Sequence, residues 1–343
     1  MHILITGGAG FFGDILKKAL IENGHTCVSI DLQPDSYTHP KLQTMQADIR
    51  DTALMDKVFS AHSFDAVFHC AAILAHVGAK KDFLWSCNVD GTQVIADCCA
   101  RYSCKIIFLS TNCLWATAFN RPVTEDDIPA PVELYGKSKL ASENILLSYA
   151  DRIPVIIFRC PTIVDEGRLG LLSILFEFIH EGRKVWLIGG GKNRYQFIYA
   201  QDLAAACLRA LNYNQSDIFN IGSDNVRSFQ EIYSSVIAKA GTAAKTVAVP
   251  KAPTLLAMRI AHTLKLSPLG PYQYKMIASD FVFHTGKIKQ KLGWMPTLTN
   301  EQMLWKAYQY YNTHRETLGK RTNVSAHKQP AKMGIIRILK WLS

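Results

Sequence analysis

The chain has 343 residues, of which 48% are hydrophobic and 19% are charged. This balance excludes a largely disordered chain and predicts a globular protein with one large domain or two smaller ones. A membrane-spanning helix needs about 18 consecutive apolar residues, and the sequence contains no such run. The opening residues, MHILITGG, predict a strand and a turn instead of a secretory signal.

Charge and cysteine content narrow the choice of partners and compartment. The formal net charge is +10, and residues 315–343 hold seven Lys and Arg but a single Glu. The rest of the chain is only mildly basic, which argues against nucleic acid as a partner. Nine cysteines without a CxxC pair predict reduced thiols in a cytoplasmic protein, with no disulfide framework and no metal site.

Short apolar runs alternate with amphipathic stretches through the first half of the chain. Strands are predicted at 2–6, 26–32, 66–72, 105–111 and 154–160, with helices such as 12–23 and 89–101 between them. This alternation predicts an α/β fold with a doubly wound parallel sheet, because runs that are apolar throughout need helices on both faces. Further along, 197–211 is predicted as a strand leading into a helix, and 218–222 as another strand.

A glycine-rich turn lies between the first predicted strand and the first helix. Residues 6–13 read TGGAGFFG, and Asp31 ends the second strand. Glycines at this spacing allow a tight turn and let the backbone approach a pyrophosphate at the start of a helix. A carboxylate at position 31 suits the ribose hydroxyls of NAD and would repel the extra phosphate of NADP. Asp48, after the third strand, could bind the adenine amino group.

Tyr135 and Lys139 form a YxxxK pair, 24 residues after Thr111 at the end of a predicted strand. Residues four apart lie on the same face of a helix. A lysine ammonium beside a tyrosine stabilises the phenolate, so this spacing predicts a lowered phenol pKa and a general base.

With these motifs in order, residues 1 to about 312 resemble the short-chain dehydrogenase/reductase superfamily, in its extended epimerase/dehydratase branch. The further motifs that carry the resemblance are His69–Ala72 (HCAA), Asn88–Thr92 (NVDGT), Phe197–Ala204 (FIYAQDLA) and Asn220–Gly222 (NIG). The resemblance implies hydride transfer from a secondary alcohol to NAD. Tyr135 would be the base, Lys139 would stabilise it and contact the nicotinamide ribose, and Thr111 would hold the substrate oxygen.

The motifs and the resemblance together define the expected sites and domains. The residues expected to bind NAD are Gly7, Gly10, Phe11, Phe12, Gly13, Asp31, Asp48, Ile49, Ala71, Ala72, Asn88, Tyr135, Lys139 and Pro161. We expect a Rossmann-type NAD-binding domain at 1–164, its sheet completed by parts of 197–225. A smaller, mainly substrate-binding region is expected at 165–314. His76, Trp85 and Arg168 follow strands and are candidates for the substrate cleft, without assigned roles.

Departures from the family pattern bear on the reaction. Dehydratases of this branch carry Asp-Glu directly after the threonine, where this chain has Asn112 and Cys113, so 4,6-dehydration is disfavoured and epimerisation favoured. Cys113 also stands where one reductase/epimerase group has a proton-transferring cysteine. The histidine partner of that group is missing, because Arg168 lies near its expected position. Strand-end packing is therefore the default interpretation of Cys113.

The substrate remains open between two classes. Many nucleotide-sugar members carry an arginine where this chain has Tyr195, with Arg194 one position earlier. The segment 191–203, GKNRYQFIYAQDL, is similar to that of 3β-hydroxysteroid and sterol dehydrogenases instead. A nucleoside-diphosphate sugar is the first choice, and a sterol-like or lipid-linked alcohol the alternative. A non-catalytic NAD-binding regulator is a remote third hypothesis.

The C-terminal tail, 315–343, ends in MGIIRILKWLS, whose apolar residues fall on one side of a helical wheel. Residues 333–343 are expected to touch an anionic membrane surface, or to pack on the body or on a second subunit. Relatives commonly pair two helices across a dimer axis, and 89–101 and 140–150 are the candidates here. We therefore expect a homodimer in the cytoplasm, with possible contact to the inner face of a membrane.

Overall fold

The computed structural model describes residues 1–74, 80–115, 119–264, 274 and 276–318. Its strands, in chain order, are β1 (His2–Thr6), β2 (Thr26–Asp31), β3 (Leu42–Gln46), β4 (Ala66–His69), β5 (Lys105–Thr111), β6 (Val155–Cys160), β7 (Thr162–Val164), β8 (Lys184–Ile188), β9 (Phe197–Tyr199), β10 (Asp217–Asn220) and β11 (Lys245–Val249). Its helices are α1 (Phe11–Glu22), α2 (Thr52–Ala61), α3 (Lys81–Trp85), α4 (Gly91–Arg101), α5 (Leu134–Leu147), α6 (Leu172–His180), α7 (Ala200–Ala210), α8 (Phe229–Ala240), α9 (Lys251–Thr263), α10 (Gly286–Leu292) and α11 (Asn300–Leu318).

Seven parallel strands form the central sheet in the order β3-β2-β1-β4-β5-β6-β10. The strand order reverses between β1 and β4, and ligands of doubly wound sheets bind at the carboxyl ends of the strands beside such a point. The predicted α/β, Rossmann-type fold is therefore confirmed.

Both faces of the central sheet are buried, which explains why its strands are apolar throughout. In β1, Ile3 and Ile5 pack on the side of α1 and α7, whereas Leu4 packs on the side of α2 and α4. Successive side chains of a strand point to opposite faces, so a strand covered on both sides has no polar alternation.

A second apolar core holds the smaller half of the molecule together. It joins α6, α8 and α11 with the two-stranded sheet of β8 and β11, around aromatic side chains such as Phe176, Phe197 and Phe281. Helix α8 is fixed at both ends: Ser228 and Glu231 form a capping box, and Gly241 ends the helix in the left-handed conformation.

Element boundaries differ from the prediction at two places. The predicted strand 66–72 ends at His69, because residues 70–74 leave the sheet. The predicted helix 89–101 is longer and irregular: α3 continues into α4 through a π turn, Ser86–Asp90, which holds one more residue per turn than an α-helix.

Two further findings concern the predictions about cysteines and membranes. All nine cysteines lie among the described residues, and each carries a free thiol. Within the described ranges, no helix combines the length and apolarity needed to cross a membrane. The predicted tail helix at 333–343 lies outside the described residues, and 315–318 form the last residues of α11.

Candidate active site

A cavity of about 1190 Å³ opens at the carboxyl ends of the central strands. Most of the predicted site residues line it: Gly7, Gly10, Phe11, Phe12, Gly13, Asp31, Asp48, Ile49, Ala71, Ala72, Thr111, Tyr135, Lys139 and Pro161. Asn88 and Trp85 are not in this wall, and His76 lies outside the described residues. The structure thus brings together residues from seven separate segments, while their individual roles stay predictions.

The glycine turn after β1 leaves backbone open towards the cavity. Gly7 has φ 73°, and a Cβ built on it would come within 2.7 Å of the Ala71 backbone. A Cβ on Gly13 would lie 2.2 Å from the Gly7 carbonyl oxygen. Larger residues at either position would therefore force the start of α1 away from the sheet.

Asp31 faces the cavity from the end of β2. Its carboxylate accepts one hydrogen bond from the Ala9 backbone N–H at 3.0 Å and another from the Gln33 N–H at 2.9 Å. The glycine turn and the carboxylate are thereby tied together. A carboxylate has about four acceptor positions, so capacity remains for ribose hydroxyls.

A buried ion pair that no sequence motif indicated lies beneath this turn. Lys17 is fully buried, and its ammonium donates to both carboxylate oxygens of Asp35 at 2.7 Å and to the Gly8 carbonyl at 3.1 Å. The sequence feature that could have indicated this ion pair is a lysine on the apolar face of α1, one turn after Gly13. The pair fixes the loop after β2, which lines the cavity beside Asp31.

Asp48 lines the cavity but is already engaged. Arg50 donates from Nε to both carboxylate oxygens at 3.0 Å, and this pairing lowers the pKa of Asp48. The Arg50 guanidinium also lies 5.0 Å from the ring centre of Phe83, another residue of the wall. The predicted contact of Asp48 with adenine stays a prediction, with Arg50 orienting the carboxylate.

Asn88 bonds to the protein instead of facing the cavity. Its side-chain oxygen accepts from the Ile73 N–H at 2.7 Å, and its amide donates to the Ile73 carbonyl and to the Ser138 hydroxyl. Asn88 therefore joins the segment after β4 to α5. Because its polar atoms are used within the chain, the geometry gives no support to the predicted direct contact with NAD.

His69, in the HCAA motif, is a fully buried neutral residue. Its two ring nitrogens lie 2.7 and 2.9 Å from the hydroxyls of Thr6 and Thr92. Burial lowers the pKa of His69 to about 3, with a smaller effect from Lys139. The motif thus stabilises the edge of the cavity from behind.

Thr111, Tyr135 and Lys139 meet where β5 and α5 come together. The Thr111 hydroxyl accepts from the Cys113 N–H at 3.1 Å and hydrogen-bonds to Tyr135. Gly136 permits this close approach, because a Cβ there would lie 2.3 Å from the Cys113 carbonyl oxygen. The Lys139 ammonium lies 3.8 Å from the ring centre of Phe108.

The predicted lowering of the Tyr135 pKa is wrong for this structure. Burial raises the pKa of Tyr135, and the neighbouring thiols of Cys113 and Cys160 add to the rise. Arg168 and the hydrogen bond with Thr111 act in the opposite direction without reversing it. Burial also lowers the pKa of Lys139 to about 8. Desolvation of the phenol therefore outweighs the favourable effects of Arg168 and Thr111 on the phenolate.

Arg168 brings a positive charge to the same part of the cavity. Its guanidinium lies 5.7 Å from the ring centre of Phe11 and interacts electrostatically with the phenols of Tyr135 and Tyr195. Burial lowers the pKa of Arg168 to about 10, so it stays protonated at neutral pH. No ion pair joins it to a carboxylate within the part of the chain that the structure describes.

Tyr195 and Asn112 connect the two halves of the molecule across the cavity. The buried Asn112 amide donates to the Tyr195 hydroxyl at 2.7 Å, and Thr162 lies 3.3 Å from that hydroxyl. Arg194 is half-exposed beside Asp280 at 3.6 Å, and it does not line the cavity. The Asn193 amide donates to the carbonyls of Ile277 and Ser279, so this segment also anchors the fold.

Fold and cavity together define an enzyme of the extended short-chain dehydrogenase/reductase class. The profile of the NAD-dependent epimerase/dehydratase family matches residues 3–222. The chain therefore belongs to that family, as the sequence analysis predicted.

The chain is also similar to known proteins in sequence and in structure. The uncharacterized protein y4nG of Sinorhizobium fredii is 36% identical over 339 residues, which cover 98% of this chain and 85% of that protein. A UDP-glucose 4-epimerase of Lacticaseibacillus casei is 26% identical, covering 94% of this chain and 100% of its own. The crystal structure of UDP-glucose 4-epimerase with UDP-glucose from Thermotoga maritima has a TM-score of 0.76 at 24% identity. It covers 92% of this chain and 100% of that one.

The cavity fits the NAD on which the family depends. Residues 7 and 13 are glycines, so the turn carries no Cβ atoms at the positions where they would collide with the backbone. The Ser110 hydroxyl in the cavity wall is buried without a hydrogen-bond partner among the described residues. A buried hydroxyl of this kind is stabilised when a ligand supplies the missing partner. NAD is thus accommodated both by the shape and by an unsatisfied polar group.

Proposed function

We propose that this protein is an NAD-dependent epimerase of a nucleoside-diphosphate sugar. The observation that carries the proposal is that Thr111, Tyr135 and Lys139 line one cavity, whereas Asn112 and Cys113 take the place of a dehydratase's Asp-Glu pair. Asn112 donates its amide to Tyr195 and has no acidic proton for a leaving hydroxyl. The similarity to UDP-glucose 4-epimerases supports the same substrate class.

In the proposed reaction, the ionised form of Tyr135 accepts the proton of a secondary alcohol of the sugar and later returns it. The positive charge of Arg168, which acts to lower the pKa of Tyr135, would favour this phenolate. Thr111 holds the same oxygen through its hydroxyl, which already hydrogen-bonds to Tyr135. NAD, when bound, supplies the hydride acceptor for the carbon and the donor for its reduction from the other face. The residues that would hold NAD are the glycine turn, Asp31, Ala71 and Lys139.

Arg168 is proposed to pair with an anionic group of the substrate. It is a cation of the cavity wall for which no carboxylate partner is found among the described residues, whereas Lys17 is bonded to Asp35. A buried guanidinium is stabilised by a charged oxygen ligand, and its fork geometry suits a carboxylate or a phosphate. This charge favours a nucleotide sugar over the sterol-like alternative.

The test is the conversion of UDP-sugars by the purified full chain without added NAD. We expect epimerisation with no net NADH and no 4,6-dehydrated product, and its loss in Tyr135→Phe. Cys113→Ser is the matched control and should keep most of the turnover, because packing is its proposed role. Net formation of NADH or of a 4-keto-6-deoxy sugar would contradict the epimerase proposal. Full biological activity of Tyr135→Phe would favour the regulator instead.

The proposal extends to domains, assembly and location. We propose that 1–164 bind NAD together with the sheet completed by β10, and that 165–314 mainly bind substrate.

We propose a homodimer through the outer faces of α4 and α5, where Val94 is half-buried and Leu147 is 36% exposed. Nine free thiols favour the cytoplasm. Residues 333–343 are proposed to contact the inner face of a membrane. Light scattering tests the proposed homodimer, and vesicle pelleting tests the proposed membrane contact.

A further inference from the structure

Helix α9 presents an apolar stripe to the outside of the molecule. None of its residues is buried, unlike α8, which buries Phe229, Ile232, Val236 and Ile237. Leu256, Ile260 and Leu264 lie one turn apart along the outer face and are 58%, 52% and 61% exposed. Residues three and four apart share one face of a helix, so the three side chains form a continuous stripe.

The opposite side of α9 is less exposed than the stripe. Thr254 and Met258 are only partly exposed, and these residues lie on the face away from the stripe. Leu256, Ile260 and Leu264 therefore lie on the more exposed side of the helix. A continuous stripe of large, exposed aliphatic side chains marks a site of interaction with another protein, a membrane or a ligand.

The chain on either side of α9 is rich in basic residues. Residues 232–279 contain six Lys and Arg and no Asp or Glu. Arg259 lies on the flank of the stripe and is exposed. An apolar stripe with cations beside it and no acidic residue matches the composition of helices that lie in the interface of anionic bilayers.

Charge also decides among the possible occupants. Residues 317–343 contain six Lys and Arg and no Asp or Glu, so the chain's own tail would bring like charges against α9. A second copy of α9 would do the same. An anionic lipid surface complements both the apolar stripe and the charge.

We propose that α9 docks this enzyme on an anionic lipid bilayer, with Leu256, Ile260 and Leu264 inserted at the boundary of headgroups and acyl chains. Arg259 lies at the depth of the lipid phosphates. The docking surface is separate from the cavity and does not depend on the proposed reaction. It acts together with any contact that residues 333–343 make.

The experiment is co-sedimentation of the full chain with vesicles of equal parts phosphatidylglycerol and phosphatidylcholine, and with phosphatidylcholine alone. We expect binding to the anionic vesicles that weakens at high salt. The double variant Leu256→Gln, Ile260→Gln should lower the partition coefficient roughly tenfold or more, because two apolar side chains no longer insert. Thermal melting shows that the variant is folded, independently of the reaction.

Two control variants show whether the loss of vesicle binding is specific to α9. Ile128→Gln with Met295→Gln removes two other exposed apolar side chains, 86% and 59% exposed, and should leave vesicle binding unchanged. Ile338→Gln with Leu339→Gln tests the tail in the full chain. Absence of binding to anionic vesicles overturns the proposal, as does binding that only the tail variant weakens. It is equally overturned if the α9 variant dissociates a dimer in light scattering while vesicle binding persists.

Discussion

Replacing Glu143 by Gln tests the buried ion pair that lies behind the proposed catalytic lysine. Glu143 and Arg159 are 1% and 4% exposed, with contacts of 3.2, 3.2 and 2.8 Å. Removing one partner of such a pair costs about 3–5 kcal/mol, because the other charge stays buried and uncompensated. An unfolding entropy of about 2.1 cal/mol/K per residue gives about 0.7 kcal/mol/K for 343 residues. The midpoint of thermal unfolding should therefore fall by about 4–7 °C.

The same substitution has a functional readout. Glu143 raises the pKa of Lys139, which burial holds at about 8. Without Glu143 the lysine loses its proton at a lower pH, so the alkaline fall in turnover should move to lower pH. Calorimetry and a pH–rate profile measure the two effects.

Glu143→Gln has two controls, one in the same buried ion pair and one in an exposed ion pair. Adding Arg159→Met should recover part of the lost stability, because the uncompensated charge is then gone. Arg101→Gln, which breaks an exposed pair with Asp56, should leave the midpoint within error. If Glu143→Gln moved the midpoint no further than Arg101→Gln, the reasoning from burial would be refuted.

Three further predictions follow from the cavity wall. The pKa of the buried His69 is lowered to about 3, so below pH 6 the unfolded chain binds a proton that the folded chain does not. His69 should therefore contribute a fall in folding stability of about 1.4 kcal/mol per pH unit from pH 6 down to about pH 3, and denaturation of His69→Gln should lack this contribution. Gly13→Ala should abolish NAD binding in calorimetry, since its Cβ would meet the Gly7 carbonyl, while Gly24→Asn in open space keeps it. Asp31→Asn should narrow the preference for NAD over NADP by roughly tenfold in titrations, and an unchanged ratio would contradict the role of its charge.

Local patterns carried most of what the sequence predicted. The glycine turn, Asp31 and the Tyr135–Lys139 spacing lie within single strand–turn–helix units, where sequence distance and spatial distance agree. Strand-end residues such as Thr111 follow from the parallel sheet, because the carboxyl ends of its strands share one edge. The fold and the shared location of the site could therefore be predicted without coordinates.

The remainder depends on contacts between distant segments. The Lys17–Asp35 pair and the bond from Asn112 to Tyr195 join residues that no short motif connects. The direction of the Tyr135 pKa was mispredicted because spacing gives the lysine neighbour but not the extent of burial. Asn88 matched a family motif, but that motif could not predict its hydrogen bonds to Ile73 or its absence from the cavity wall.

Because of the π turn at Ser86–Asp90, the number of residues in this helix determines how Phe83 faces the cavity. Each residue rotates an α-helix by about 100°. Deleting one residue there would restore even winding and swing Phe83 around the axis, away from the Arg50 guanidinium that now stacks on it. Arg50, which orients Asp48, would lose its ring contact through an indel more than thirty positions distant. Insertions and deletions in this helix therefore act as pocket mutations.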